Sequence, residues 1–264
     1  MGNTHLIVSR IYDYIDSFAP FCTCESWDNS GLLAGSMQKE VHGILFALDF
    51  SHRVLNEALS QNTDLIVTHH PILFTGKKNL REDDEEGLAI CELIRSHISL
   101  ISAHTNFDKA AGGVNDMLTE RLGLYDVGVI ENDAEGYVRL GLIDPVPLKD
   151  FACHVRKTLG DAVRVYGGPE KMIRTVAVCG GAGGEFAFDA MKAGADAYVT
   201  GEMRYHDSMD LAQKGFATLH CGHDATEKLA MEKMKAVVSD GLKRDGFDIP
   251  LKVSCTDIFS MNFR

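Results

Sequence analysis

Thr68-His69-His70-Pro71 is the first stretch whose residue types could do chemistry. It follows the apolar run Leu65-Ile66-Val67, and in α/β sheets ligands collect beyond the carboxyl ends of strands. Imidazole is both a metal ligand and a proton carrier near neutral pH. Neighbouring side chains on extended backbone point to opposite sides. Both histidines can therefore serve only if the turn redirects one of them, or if two ions are bound. A pair of turn histidines without a ligand is the plainer alternative. A second candidate, Ala103-His104-Thr105-Asn106-Phe107-Asp108, also follows an apolar strand. Asp108 comes near His104 only if the backbone turns sharply, and it could instead form an Asx-type turn or a helix cap. The third is Gly222-His223-Asp224-Ala225-Thr226-Glu227, which opens a helix. An i, i+4 pair shares one helix face, so His223 and Glu227 can reach a common ion. The competing explanation is that the helix dipole favours Glu in a first turn anyway.

Three such strand ends in one chain are harder to dismiss than any one alone. Imidazole and carboxylate ligands suit zinc, iron, manganese or nickel, and the lack of a Cys ligand argues against a closed structural zinc. Five ligands are too many for one catalytic zinc and suit two ions that share a bridging carboxylate and water.

The elements that must position these residues alternate between short apolar strands and helices of about three turns. Leu6, Ile7, Ile11, Ile15 and Phe18 repeat at helical spacing, with Thr4 as N-cap and a stop before Pro20. Strands are expected at 44–48, 65–67 and 98–102, and helices at 52–60, 87–96 and 114–122. The charged stretch 77–86 reads as a loop or helix lead-in. After a strand at 137–143, a helix at 148–159 and a strand near 163–166, the scheme resumes. It continues with a strand at 176–178, a turn at 180–184, a helix at 185–193 and strands at 197–199 and 216–221. A shift of 132 residues aligns 43–70 with 175–202 without a gap, bringing Asp64 onto Asp196 and Val67-Thr68 onto Val199-Thr200. A shift of 119 places His104 on His223 and Asp108 on Glu227. The pattern predicts two α/β modules, 1–126 and 127–264, with the C-terminal segment able to pack back on the first. The duplication also aims Glu202 and His206 at the same cleft as His69 and His70. There they are candidates for moving protons or orienting water, with support of the ligands as the alternative. Cys179-Gly180-Gly181-Ala182-Gly183-Gly184 could cradle a phosphate on its N–H groups, but it matches no phosphate-loop pattern and reads better as a tight structural turn.

Composition narrows the function classes. With 26 Lys plus Arg against 38 Asp plus Glu, the chain carries a formal charge of −12, which opposes a broad nucleic-acid footprint. No apolar run reaches the length of a membrane span, and no signal-like start is present. Seven cysteines without C-x-x-C pairs read as reduced, and the expected compartment is the cytoplasm.

The motifs T-H-H-P, A-H-T-N-x-D and G-H-x-x-T-E, with Trp27-Asp28-Asn29-Ser30-Gly31-Leu32 and Thr200-Gly201-Glu202, resemble the Ngg-interacting-factor-three-like family. Its members also go by GTP cyclohydrolase I type 2 homologue. The resemblance spans nearly the whole chain. It implies two interlinked α/β modules of similar topology, a dinuclear metal site in the cleft between them, and often a toroidal homohexamer. Carried over motif by motif, it implies the ligands His69, His70, Asp108, His223 and Glu227, with Glu227 as the bridge. His104 is not among the ligands usually assigned in the family. Many members also carry a second histidine where this chain has Asp224. The leading expectation is a metal-dependent hydrolase of a nucleotide or another phosphate-containing or heterocyclic small molecule. The alternative is a non-catalytic metal-binding protein acting as donor, sensor or regulatory scaffold.

Overall fold

A computed structural model describes residues 5–131 and 133–256. The chain forms two compact units, one running to Ala110 and resuming at Ala230, the other spanning Ala111–Leu229.

The strands of the first unit are β1 (Gly31–Ala34), β2 (Ile44–Ala47), β3 (Leu65–Thr68), β4 (Ser99–Ser102) and β11 (Leu251–Val253). Those of the second are β5 (Tyr125–Val129), β6 (Arg139–Pro147), β7 (Arg164–Tyr166), β8 (Met172–Cys179), β9 (Ala197–Thr200) and β10 (Ala217–His220). The helices of the first unit are α1 (Val8–Phe18), α2 (His52–Ser60), α3 (Glu85–Arg95), α4 (Thr105–Lys109) and α10 (Leu229–Asp245), the last but for its first residue. The second holds α5 (Val114–Leu122), α6 (Leu148–Leu159), α7 (Ala187–Lys192), α8 (Tyr205–Gln213) and α9 (His223–Glu227).

The first sheet has the order β1-β4-β3-β2-β11, parallel throughout except for β1. Its central strands are four residues each and buried on both faces, as parallel strands covered by helices must be. Leu45, Ala47, Ile66 and Leu100 pack with Val54, Leu55 and Leu93 of α2 and α3. The alternate residues Ile44, Phe46, Leu65, Val67 and Ile101 are buried on the opposite face. The Ser51 hydroxyl caps α2 by accepting from the Val54 N–H, and the Asp84 carboxylate caps α3 by accepting from the Gly87 N–H. The charged stretch 77–86 is thus loop up to that cap.

The second sheet has the order β5-β6-β8-β9-β10-β7, with β8, β9 and β10 parallel and the outer pairs antiparallel. Val176, Val178, Ala197, Val199, Ala217 and Leu219 face α5 and α6 through Leu118, Phe151 and Val155. Ala177, Cys179 and Tyr198 face α7 and α8 through Ala187, Ala190 and Leu211.

The fold is therefore α/β with two similar modules, as expected. The duplication is visible in register: β2 and the end of β8, and β3 and β9, coincide at the shift of 132. β4 and β10 lie within one residue of the shift of 119, inside the usual uncertainty of strand ends. The division of the chain differs from a single cut after residue 126. α5 packs on β5, β6, β8 and α6, so its apolar face belongs to the second sheet. The C-terminal strand β11 pairs in parallel with β2 and belongs to the first. Thr4, expected as the first N-cap, lies outside the described residues; Ile7 takes the cap position of α1 and makes no side-chain cap bond. The helix expected at 185–193 begins as a 3-10 turn over Gly183–Phe186 before α7. Among the described residues no helix is long and apolar enough to cross a membrane.

Candidate metal centre

In the first unit the carboxyl ends of β3 and β4 carry the chemistry. The His69 N–H donates to the Ala47 carbonyl at 3.2 Å and that of His70 to the Leu48 carbonyl at 3.0 Å. The Thr68 hydroxyl donates to the His70 carbonyl at 2.8 Å. That bend redirects one ring, and the two imidazole centroids lie 5.0 Å apart. His104, at the N-cap of α4, brings a third ring to 5.2 Å from His69 and 5.5 Å from His70. One ring nitrogen from each of the three lies within 4.8 Å of the others, a spacing that could hold a metal ion. Asp108 reaches the cluster because α4 turns immediately after His104, whose carbonyl accepts from the Asp108 N–H at 3.0 Å. Its Oδ1 then stands 3.3 Å from His69 Nε2. The sharp turn is present, and Asp108 sits at the end of α4 and not at its cap.

Each imidazole of the cluster is backed at Nδ1 by an acceptor. His69 Nδ1 lies 2.9 Å from the Ala103 carbonyl, His70 Nδ1 2.7 Å from Asp49 Oδ1, and His104 Nδ1 2.9 Å from Asp28 Oδ1. A proton held on Nδ1 leaves the lone pair on Nε2, which is how metal-ligating histidines are ordinarily oriented. This donor set of imidazole and carboxylate, already oriented, fits a divalent ion. Asp28 is fully buried at its side chain. Burial alone would raise its pKa. Hydrogen bonds from His104, Thr105 and Ser30 outweigh burial and hold the carboxyl well below the usual range.

In the second unit, the corresponding strand ends of β8, β9 and β10 position another set. His223 and Glu227 open and close α9, with Nε2 and Oε2 3.0 Å apart across one helical turn. Glu202, just beyond β9, is mostly exposed and places Oε2 at 3.6 Å from His223 Nδ1, an ion-pair distance too long for a hydrogen bond. His206 is not brought to this pair; it is exposed on α8 with its ring edge-on to Tyr205. Burial pushes the neighbouring Cys221 thiol up to about 12, which keeps it protonated at neutral pH.

Three loops interlock around His223. The Glu202 N–H donates to the Gly181 carbonyl at 2.8 Å and the Gly222 N–H to the Gly201 carbonyl at 3.0 Å. The Gly181 N–H donates to the Thr226 hydroxyl at 2.9 Å. This closeness explains Gly184, within the tight turn expected at 180–184, and Gly201. A Cβ at Gly184 would sit 2.7 Å from the Glu202 carbonyl oxygen, and one at Gly201 would sit 2.4 Å from the Gly181 carbonyl oxygen. Gly201→Ala is expected to destabilise the second unit by about 1–3 kcal/mol, because backbone cannot step aside as a side-chain tip can. Gly180→Ala, whose Cβ would meet nothing closer than 3.4 Å, is the control. Urea unfolding checks the pair, and equal midpoints would remove the close-packing argument.

Beside this set lies a cavity of about 760 Å³ bordered by Arg164, Glu202, Arg204, His220 and Gly222. Arg164 stands directly across from His220 in the antiparallel β7–β10 register. Burial, then the Arg164 guanidinium, lowers the His220 pKa.

Sequence reasoning named Asp28 only inside a motif and passed over Asp49, although Asp49 follows the apolar run of β2 as the histidine pair follows β3. The structure also sets the ring of His104, which lies outside the expected ligand set, beside His69 and His70.

A mixed α/β chain whose β3 and β4 ends together gather three imidazoles and a carboxylate belongs to the class of proteins that could hold a metal ion, which is less than an activity. The chain belongs to the Duf34/NIF3 (NGG1p interacting factor 3) family, whose model matches residues 6–258. A Clostridium acetobutylicum protein called GTP cyclohydrolase 1 type 2 homolog is 30% identical, over 98% of this chain and 99% of its own length. A Clostridium perfringens protein of the same name is 34% identical over 90% and 93%. Among solved structures, a hypothetical protein of Staphylococcus aureus superposes with TM-score 0.90 at 27% identity, covering 98% of this chain and 100% of its own. A Bacillus cereus protein related to NIF3 superposes with TM-score 0.92 at 23% identity, covering 99% and 100%; that likeness concerns fold.

Proposed function

We propose that the chain is a metal-dependent hydrolase of a nucleotide or a related phosphate-containing heterocycle. It would use two divalent ions per chain, with His69, His70 and Asp108 as the proposed ligands in the first unit and His223 and Glu227 as the proposed ligands in the second. The observation that carries this reading is the cluster of three imidazoles, each backed at Nδ1 by a carboxylate or carbonyl, with Asp108 against His69. A purely structural cluster of histidines has no need of that uniform orientation. Zinc, iron, manganese and nickel all suit these donors. A pair of such ions would supply an activated water at neutral pH and charge for a developing anion.

The protein's own part is orientation. Asp49 and Asp28 hold the His70 and His104 rings by hydrogen bonds, and Glu202 stands on the Nδ1 side of His223 at the longer distance of 3.6 Å. Glu227, buried at the end of α9, would supply a carboxylate ligand. Arg164 and Arg204 border the cavity beside Glu202 and offer positive charge to a phosphate, which an acidic chain needs locally. The name of the curated relatives, GTP cyclohydrolase 1 type 2 homolog, supports a heterocyclic nucleotide as substrate class.

The test is turnover of a panel of nucleotides and phosphoesters by metal-reconstituted protein, compared with Glu227→Gln. Product formation that disappears in the variant is expected. Transfer of metal to an apo-acceptor without any turnover would replace the hydrolase with a metal donor.

A further inference from the structure

We propose that Trp27 and Phe74 form an aromatic clamp that seats a planar heteroaromatic ring against the His69–His70–His104 cluster. The proposal rests on the hydrolase reading and narrows it, assigning the ring of the substrate to the first unit.

Trp27 and Phe74 are 57% and 50% exposed, which is unusual for side chains of such apolar area. Neither belongs to the cluster of Leu45, Leu55 and Leu93 between the first sheet and its helices. Their ring centroids lie 5.8 Å apart at 61°. Both stand edge-on to the same imidazole, His104, at 6.3 Å for Trp27 and 6.1 Å for Phe74. The exposed pair therefore rims the imidazole cluster.

The rim is also held in place. The Asn29 side-chain amide donates to the Leu73 carbonyl at 2.7 Å, tying the loop after Trp27 to the loop before Phe74. Asp28, between Trp27 and Asn29, accepts from the Ser30 hydroxyl at 2.9 Å and the Thr105 hydroxyl at 2.6 Å while holding His104. A polar frame thus ties together the residues that flank the two exposed rings.

The chemistry of the rim selects the occupant. Indole and phenyl faces attract flat π-systems and offer a phosphate nothing. The carboxylates of Asp28, Asp49 and Asp108 nearby repel free anions. A heteroaromatic ring stacked there would turn its polar edge toward the imidazole cluster, where the ions of the proposed function would meet ring nitrogens or exocyclic groups. A purine or pyrimidine meets every requirement.

Trp27 is the single tryptophan of the chain, so tryptophan fluorescence, excited selectively over tyrosine, reports on this position alone. The experiment titrates guanosine, adenosine and uridine monophosphates into the full-length protein, metal-loaded and chelated, with ribose 5-phosphate as the ringless control. Saturable quenching by at least one nucleotide and none by the control is expected, after correction for probe absorbance. Phe74→Ala should weaken that binding roughly 5- to 150-fold, the range of one lost base–aromatic stack. By equilibrium dialysis, Trp27→Phe should retain binding and Trp27→Ala should lose it, with metal content unchanged in each. No saturable quenching by any nucleotide, or equal quenching by ribose 5-phosphate, overturns the clamp. So does a change of oligomeric state in Trp27→Ala with ring binding intact, which would make the patch a contact between copies of this chain. Ring binding without turnover leaves the clamp standing and removes the hydrolase. Turnover with unchanged kcat and KM in Trp27→Ala does the reverse.

Discussion

Asp108→Asn and Glu227→Gln are expected to strip metal from the protein, while Glu202→Gln keeps most of it. Each substitution conserves shape and removes one negative charge, so the comparison isolates position. Asp108 Oδ1 faces His69 Nε2 at 3.3 Å and Glu227 Oε2 faces His223 Nε2 at 3.0 Å, the nitrogens on which a metal would bind. Glu202 stands instead at 3.6 Å from His223 Nδ1, on the opposite edge of the ring, and its side chain is 63% exposed. A carboxylate that only orients a ligand typically costs ~10–100-fold in affinity when changed. One that binds the ion costs more, because the dication loses both a bond and its counter-charge. Elemental analysis after dialysis against metal-free buffer reads the result, with about two ions per wild-type chain expected for a two-metal site. If all three variants lose metal equally, the ranking of Glu202 behind the other two is wrong.

Chelation should lower the melting temperature of the wild-type protein and leave Glu227→Gln almost unaffected. Metal binds the folded arrangement of ligands and not the dispersed chain, so occupancy stabilises by mass action. At free metal about 100-fold above its dissociation constant the gain is ~2.7 kcal/mol per site. For a chain of this size that corresponds to a shift of about 5–10 °C. The sign with pH follows from the ligands: imidazole binds metal only when neutral, so protonation competes. The chelator effect should therefore shrink as pH falls below ~6.5, the ordinary histidine value. A midpoint that stays fixed while metal demonstrably leaves would dismiss this linkage.

Much of the scaffold was legible locally. The helical periodicity of 52–60 and 114–122 and the apolar runs at 44–48, 65–67 and 197–199 each state their element without reference to the rest of the chain, and the strands fall within one residue of those runs. The gapless shift of 132 residues even foretold which strand ends correspond. The strands missed were Gly31–Ala34, Tyr125–Val129 and Leu251–Val253. All three lie at sheet edges, are short and only partly buried or exposed, and owe their existence to pairing with a distant strand. Edge strands leave little pattern because only one side is paired.

The sequence by itself determined the class of fold, the strand ends that carry chemistry, and the spacing that lets His223 and Glu227 meet across one helical turn. Those properties depend on residues within a few positions of one another, where backbone geometry is fixed by local periodicity. Tertiary structure alone decided which carboxylate backs which imidazole. Asp28 reaches His104 from 76 residues away and Asp49 reaches His70 from 21, through loops whose course no local pattern states. It also decided where the chain divides, since α5 and β11 take sides according to the sheet that buries them. And it set Trp27 and Phe74 beside His104, a placement that depends on the hydrogen bond from Asn29 to Leu73 across 44 residues.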